Sequence, residues 1–225
     1  MKWSAVSFDL FQTLVDVDQR IPAIWKRILK EDYTDEKAAH YGREIMKEFS
    51  PIFRAASEQP QFFKLEHLYT QGFSVLFQKH SLPYDPAEAS LAILTEHANA
   101  PFYADVPGAL EQLTKALPLY LSSDADHIMA DRLIPKIPVQ RAFLSEDIKA
   151  YKRNPSGAFF QFVLDQVGIE PEKILHVGDS AADILGAERA GMRSCLIDRD
   201  GRGIPGDCRP DYMIRSFREL LEIVR

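Results

Sequence analysis

Long apolar runs are missing from this chain of 225 residues: no 18 consecutive apolar residues occur, and the first residues lack a basic stretch followed by an apolar region. Neither a membrane helix nor a secretory signal is therefore expected. Cysteine is scarce. The two present, Cys195 and Cys208, stand in neither a C-x-x-C nor a metal-type spacing, which excludes a disulfide framework and predicts free thiols in a reducing compartment. Positive charge is in deficit, with 27 Lys and Arg against 33 Asp and Glu and a net charge of -6. That balance argues against a nucleic-acid-binding surface. Internal repeats and low-complexity segments are absent as well. The expectation is a soluble cytoplasmic protein that engages neither membrane nor nucleic acid, and no feature specifies an oligomeric state. Apolar residues, in contrast, make up 46% of the chain, enough for one substantial core domain with an insertion.

Four apolar runs end in polar residues able to do chemistry. In Lys173-Ile-Leu-His-Val-Gly-Asp-Ser-Ala-Ala-Asp183 the short run Ile174 to Val177 stops at Gly178 and helical spacing restarts beyond it, the pattern of a strand, a loop and a helix. Asp179 and Asp183 are thereby set at a strand's carboxyl end, where α/β sheets bind ligands and where a hard cation such as Mg²⁺ would find oxygen donors. Taken alone, a turn Asp and an N-cap Ser explain that segment about as well. The first strand, Ala5 to Phe8, delivers Asp9 in the same way. A third run, Leu119 to Leu121, ends in Ser122-Ser123-Asp124, and a fourth segment carries Lys152 just before a helix that Pro155 can open.

In order and spacing these segments resemble the haloacid dehalogenase superfamily of hydrolases over nearly the whole chain. The resemblance implies a residue-specific site: Asp9 as nucleophile, Thr13 and Ser122 as hydrogen-bonding partners of the transferring group with Ser123 beside them, Lys152 as the neutralising cation, and a Mg²⁺ site of Asp9, the Phe11 carbonyl, Asp179 and Asp183. The residue types suit that chemistry, since a phosphate dianion repels a carboxylate nucleophile unless Mg²⁺ and Lys screen both. The implied substrate is a small phosphorylated metabolite.

At one position the chain departs from the phosphatase pattern. Two residues after the nucleophile, where a general acid/base Asp is usual, stands Phe11, which cannot carry a proton though its backbone carbonyl is intact. An aromatic there also resembles the 2-haloacid dehalogenases, in which halide leaves unprotonated and no metal is used. Those enzymes lack the Gly-Asp pair kept here as Gly178-Asp179. Metal-dependent phosphoryl transfer is thus the leading expectation, with dehalogenation and a catalytically degenerate regulatory protein as alternatives.

The fold class expected is α/β, a doubly wound parallel sheet of Rossmann type with an inserted helical cap. Strand and helix patterns alternate after Ser122, which argues for parallel strands. Between Asp9 and Ser122 apolar residues recur at helical spacing in four segments: Ile21 to Leu29, Ala38 to Phe53, Leu65 to Phe77, and Ala87, Leu91 and Leu94. The core is assigned to residues 1–15 and 99–225 and the cap to 16–98. His176 reads as a core histidine, and His127 or Asp124 as a substitute for the missing acid only after capping or solvated roles. Phe49, Phe53, Phe62, Phe63 and Phe73 read as cap packing from which an exposed subset could line a pocket; Arg43, Arg54 and Lys64 are cap cations. Gly201 to Gly206 reads as a surface loop.

Overall fold

The computed structural model describes residues 2–204, 206 and 208–225; Pro205, inside the expected surface loop, lies outside them. Among the described residues, six strands form one parallel sheet: β1 (Ala5–Phe8), β2 (Leu119–Ser123), β3 (Arg141–Leu144), β4 (Ile174–Gly178), β5 (Arg193–Ile197) and β6 (Tyr212–Ile214), in the spatial order β3-β2-β1-β4-β5-β6. Every residue of β1, β2 and β4 is buried, as a parallel sheet covered on both faces requires. Phe8 sits level with Leu121 and Val177 on its two neighbours. The carboxyl ends of the three central strands are therefore flush, and β1, where the strand order turns back, marks the place for a ligand.

Ten α-helices accompany the sheet among the described residues: α1 (Ile21–Leu29), α2 (Asp35–Ser57), α3 (Leu65–His80), α4 (Pro86–His97), α5 (Val106–Leu113), α6 (His127–Ala130), α7 (Ser145–Ile148), α8 (Ala158–Val167), α9 (Ala181–Arg189) and α10 (Phe217–Val224). One sheet face packs Phe8, Leu121 and Val177 with α5 and α10; the other packs Tyr120 and Phe143 with α8 and α9. Helices α1 to α4 share a separate apolar cluster around Trp25, Phe49, Phe73 and Leu76, which Met129 and Tyr151 join from the sheet side. No helix among the described residues is long and apolar enough to cross a membrane.

Local chemistry explains the helix starts. Thr34 accepts from the Lys37 amide at 3.2 Å and Asp85 from the Glu88 amide at 2.8 Å, each satisfying an amide that the first turn leaves without a partner. Helix α3 begins without such a side chain of its own; Asp126, far along the chain, accepts from the Leu65 and Glu66 amides at 3.0 and 2.8 Å.

Three sequence expectations need correction. Pro155 does not open the helix after Lys152: Gly157, at φ +70°, interrupts the chain in the left-handed region and α8 starts at Ala158. The third apolar run extends two residues beyond Leu121, so β2 ends at Ser123. In α4 the buried residues are Ala89, Ser90, Ala92, Ile93, Leu94, Glu96 and His97, while Leu91 is 43% exposed, because the face turned to the neighbouring helices is set by their packing and includes polar residues that an apolar stripe does not mark.

Candidate active site

Asp9 follows the last residue of β1, and its amide donates to the Val177 carbonyl at 2.9 Å, which keeps the chain in register with β4 for one residue past the strand. A tight turn then folds Leu10 to Val15 back, with Gln12 at φ +61° and the Tyr103 hydroxyl donating to Gln12 Oε1 at 2.7 Å. The Asp9 carboxylate is 6% exposed. Its Oδ1 accepts from Lys152 Nζ at 2.7 Å and from Ser123 Oγ at 3.0 Å.

Lys152 reaches in from the loop beyond α7 and is itself buried. It bonds Asp183 Oδ1 as well as Asp9, and its amide donates to Asp124 Oδ1 at 2.9 Å. Asp183, in the first turn of α9, is fully occupied: Oδ1 also meets His176 Nε2 at 3.0 Å, and Oδ2 accepts from the Ser180 amide at 3.1 Å and hydroxyl at 2.5 Å. Gly178 makes this approach possible. A Cβ there would stand 2.1 Å from Asp183 Cγ, so any other residue would displace the carboxylate.

Charge is out of balance in this cluster. Four carboxylates, of Asp9, Asp124, Asp179 and Asp183, surround the single ammonium of Lys152. Burial raises the Asp9 carboxyl above its ordinary range, Lys152 opposes and the Asp183 charge adds to the rise. Burial pushes Asp124 up to about 7, and burial with the charges of Asp9 and Asp183 raises Asp179 well above the usual carboxylate value. Asp183 goes the other way. Burial alone would raise it, but Lys152 and the bond from His176 outweigh that and hold it below. Lys152, despite burial, is held charged by the carboxylates around it.

Of the residues marked in the sequence, the fold brings Asp9, Ser123, Lys152 and Asp183 into contact, with Asp179 close by. Ser122 is not among them. It shares a face with Ser7 and His176, accepts from Ser7 Oγ at 2.9 Å, and is wholly buried; since side chains alternate along a strand, only Ser123 can reach Asp9. Thr13 is fully buried with its hydroxyl unpartnered among the described residues. Phe11 is partly buried, its ring 5.6 Å from that of His97. His176 is a core histidine that spans Ser7, at 3.1 Å, and Asp183. His127 lies away from the site, bridging Asp131 and Asp147 at 2.8 Å each, and those carboxylates raise it to about 9. Lys64 pairs with Glu146.

Above the cluster opens a cavity of about 1100 Å³ with Asp9, Asp124, Lys152 and Asp179 among its lining residues, and Phe11 beside them. Its walls come from α1 to α4 and include Arg43 and Arg54. Sequence reasoning had no signal for Trp25, Tyr69 and His97 in this wall, because helical spacing records that a residue is buried but not which cavity it borders. One carboxylate oxygen from each of Asp9, Asp179 and Asp183 lies within 4.8 Å of the others. Hard oxygen donors with an uncompensated negative charge fit a small divalent cation such as Mg²⁺. Asp179 has no side-chain hydrogen-bond partner among the described residues and suits this role, whereas Asp183 has both oxygens engaged and is suited to orienting.

Comparison with known proteins gives the family and the fold. A family model described as haloacid dehalogenase-like hydrolase matches residues 3–191. The chain is 23% identical over 227 residues to the pyrophosphatase PpaX of Bacillus cereus, covering 100% of this chain and 97% of the relative. It is 26% identical over 238 residues to an (S)-2-haloacid dehalogenase of Pseudomonas sp. strain YL, covering 97% and 93%. Among solved structures, L-2-haloacid dehalogenase from Xanthobacter autotrophicus superposes with a TM-score of 0.81 at 16% identity over 99% of this chain and 98% of the other.

Proposed function

The chain belongs to the haloacid dehalogenase-like hydrolases, and from that premise we propose that it is a Mg²⁺-dependent phosphatase of a small phosphorylated substrate, with Asp9 as nucleophile. One observation carries the reading: beside the Asp9 carboxylate, already held by Lys152 and Ser123, stands Asp179 with a carboxyl that burial and its acidic neighbours disfavour as an anion. A metal-free carboxylate chemistry has no use for that residue.

Asp9 forms an oxygen–phosphorus bond as the bond from phosphorus to the leaving oxygen breaks. Water then attacks the phosphorus of the resulting acyl phosphate, releasing inorganic phosphate and restoring the Asp9 carboxylate. Lys152 fixes the attacking oxygen and offsets the charge that the carboxylate and phosphate bring together, and Ser123 sets the rotamer of Asp9. The Thr13 hydroxyl is the donor held in reserve for the transferring group. Asp9, the Phe11 carbonyl and Asp179 would hold the Mg²⁺, which when bound supplies the remaining neutralisation; Asp183, braced by Ser180 and His176, keeps Lys152 aimed. Residues 16–98 act as the cap over the cavity, and a reducing cytoplasmic setting belongs to the same reading.

Asp9→Asn tests the nucleophile. Turnover of any phosphorylated substrate that the wild type hydrolyses is expected to vanish in folded Asp9→Asn protein, and persistence of turnover in purified variant would end this reading. A dehalogenase reading draws on Phe11 and on the dehalogenase relative; it demands chloride release from a 2-haloacid in excess chelator, dependent on Asp9. No release is expected, because Asp179 without a metal adds a negative charge facing a carboxylate substrate.

A further inference from the structure

Asp9, Asp124, Lys152 and Asp179 lie together at the carboxyl ends of the strands, whereas other walls of the same cavity are built from Ile21, Trp25, Met46, Phe49, Phe53 and Tyr69. Its volume, about 1100 Å³, is at the top of the range that takes a drug-sized ligand and far exceeds the needs of a two- or three-carbon phosphate. Met46 is 45% exposed although it borders the cavity, an apolar, adaptable side chain left open where a bound molecule would cover it. Among these six side chains a polyhydroxylated leaving group would meet few partners and its hydroxyls would lose their hydrogen bonds to water; the polar groups of the same cavity, Arg43, Lys47, Ser50 and Arg54 of α2 among them, are interspersed with this apolar surface.

Phe11 supplies a second and independent observation. It borders the cavity two residues from the nucleophile, on the turn where a proton donor for the leaving oxygen would stand, and brings an aromatic face in place of an acid. A leaving oxygen released without a proton must carry its own charge. Phenolic oxygens do so readily, with an acidity like that of tyrosine, about 10, against about 15.7 for water and similar values for alkanols.

Resting on the phosphatase reading above, we propose that the substrate is an aryl phosphomonoester, whose phosphate sits at Asp9 and whose aromatic body lies between Phe11 and the Trp25, Met46 and Phe53 wall. The phosphorus–oxygen bond to the ring breaks as Asp9 bonds to phosphorus, the phenolate departs with the electron pair, and it takes its proton from solvent after leaving the site.

Phenyl, 2-naphthyl and cyclohexyl phosphates and acetyl phosphate, each assayed with Mg²⁺, test this directly. Phenyl phosphate is expected to exceed cyclohexyl phosphate in kcat/KM by at least ~10²-fold, the low end of what a missing general acid costs an alkyl ester, with 2-naphthyl phosphate showing a lower KM than phenyl. Met46→Glu, at an exposed position where folding is not at stake, is expected to raise the KM for 2-naphthyl phosphate by roughly tenfold and that for acetyl phosphate much less, as loss of an apolar contact predicts. Cyclohexyl phosphate turned over within tenfold of phenyl phosphate would overturn the proposal and assign a proton donor, for which Asp124 in the cavity wall is a candidate. Equal KM changes for both substrates in Met46→Glu would overturn the aromatic wall. Absence of turnover for all four compounds removes the phosphatase reading itself, and this proposal with it.

Discussion

Two adjacent serines with opposite fates separate stability from catalysis. Ser123 touches the Asp9 carboxylate and Ser122 only the buried Ser7 hydroxyl. Ser123→Ala should therefore lower kcat with little loss in denaturant midpoint, while Ser122→Ala should cost about 1 kcal/mol of stability, the usual worth of a neutral buried hydrogen bond, and leave kcat near wild type. The reverse pattern would mean that the alternation along β2 has been misassigned. His97 offers a second residue-scale test. Burial between Phe11 and Tyr69 depresses its ring to about 4, from an ordinary 6.5, and its Nδ1 has no partner among the described residues. Because the unfolded chain binds the proton first, stability falls as pH drops from 6.5 towards 4, by at most about 3 kcal/mol from this group. Urea melts at pH 7.5 and 4.5 should show that His97→Phe removes this part of the loss; an unchanged difference between the two pH values would place the acid sensitivity elsewhere.

Helix α3 depends on a residue from outside its own sequence. Asp126, just before α6, caps the Leu65 and Glu66 amides, and the Tyr151 hydroxyl donates to the Phe63 carbonyl at 2.5 Å. Asp126→Ala is expected to cost about 1–2 kcal/mol, the range for losing a helix cap, and to speed amide exchange at Leu65 and Glu66 before exchange in β1 or β4 changes. Such long-range capping shows which parts of the element scale are readable from sequence. Strands β1, β4 and β5 are legible because apolar runs ended by Gly or Asp have one physical reading in a parallel sheet, and α1 to α3 because their apolar residues recur at helical spacing. The exact end of β2 was not, since Ser122 and Ser123 have equal claims until pairing with Arg141 to Leu144 fixes how far the strand runs. The apolar spacing over Ala158 to Val167 marks α8 itself; what misleads is Pro155, a permissible first residue that only the left-handed Gly157 rules out. Asp9, Lys152 and Asp183 could be picked out as residue types; their mutual contacts depend on tertiary register.

Across the whole molecule the site stores unfavourable charge that a cation would relieve. Mg²⁺ at a hundredfold excess over its Kd should stabilise the protein by about 2.7 kcal/mol, a shift of several degrees in Tm for a chain of this size. Asp179→Asn should raise Tm in chelator, by removing the carboxyl that burial and Asp9 most disfavour as an anion, and should abolish the Mg²⁺ response. A Tm that rises equally with Mg²⁺ in both proteins would locate the cation away from Asp179.

The central strand has a consequence for how the chain is made. β1 precedes the other described elements in the chain, yet its two partners lie far downstream, and the bond from Lys152 to Asp9 spans 143 residues. Closing such long loops is slow compared with local helix formation, so α1 to α4 can pack while β1 still waits with both edges unpaired. A nascent chain stopped short of Ile174 holds nucleophile and lysine alike but no β4 to seat them. β1 thus keeps an open edge until β4 is made, and during that interval its apolar edge is what a chaperone would find.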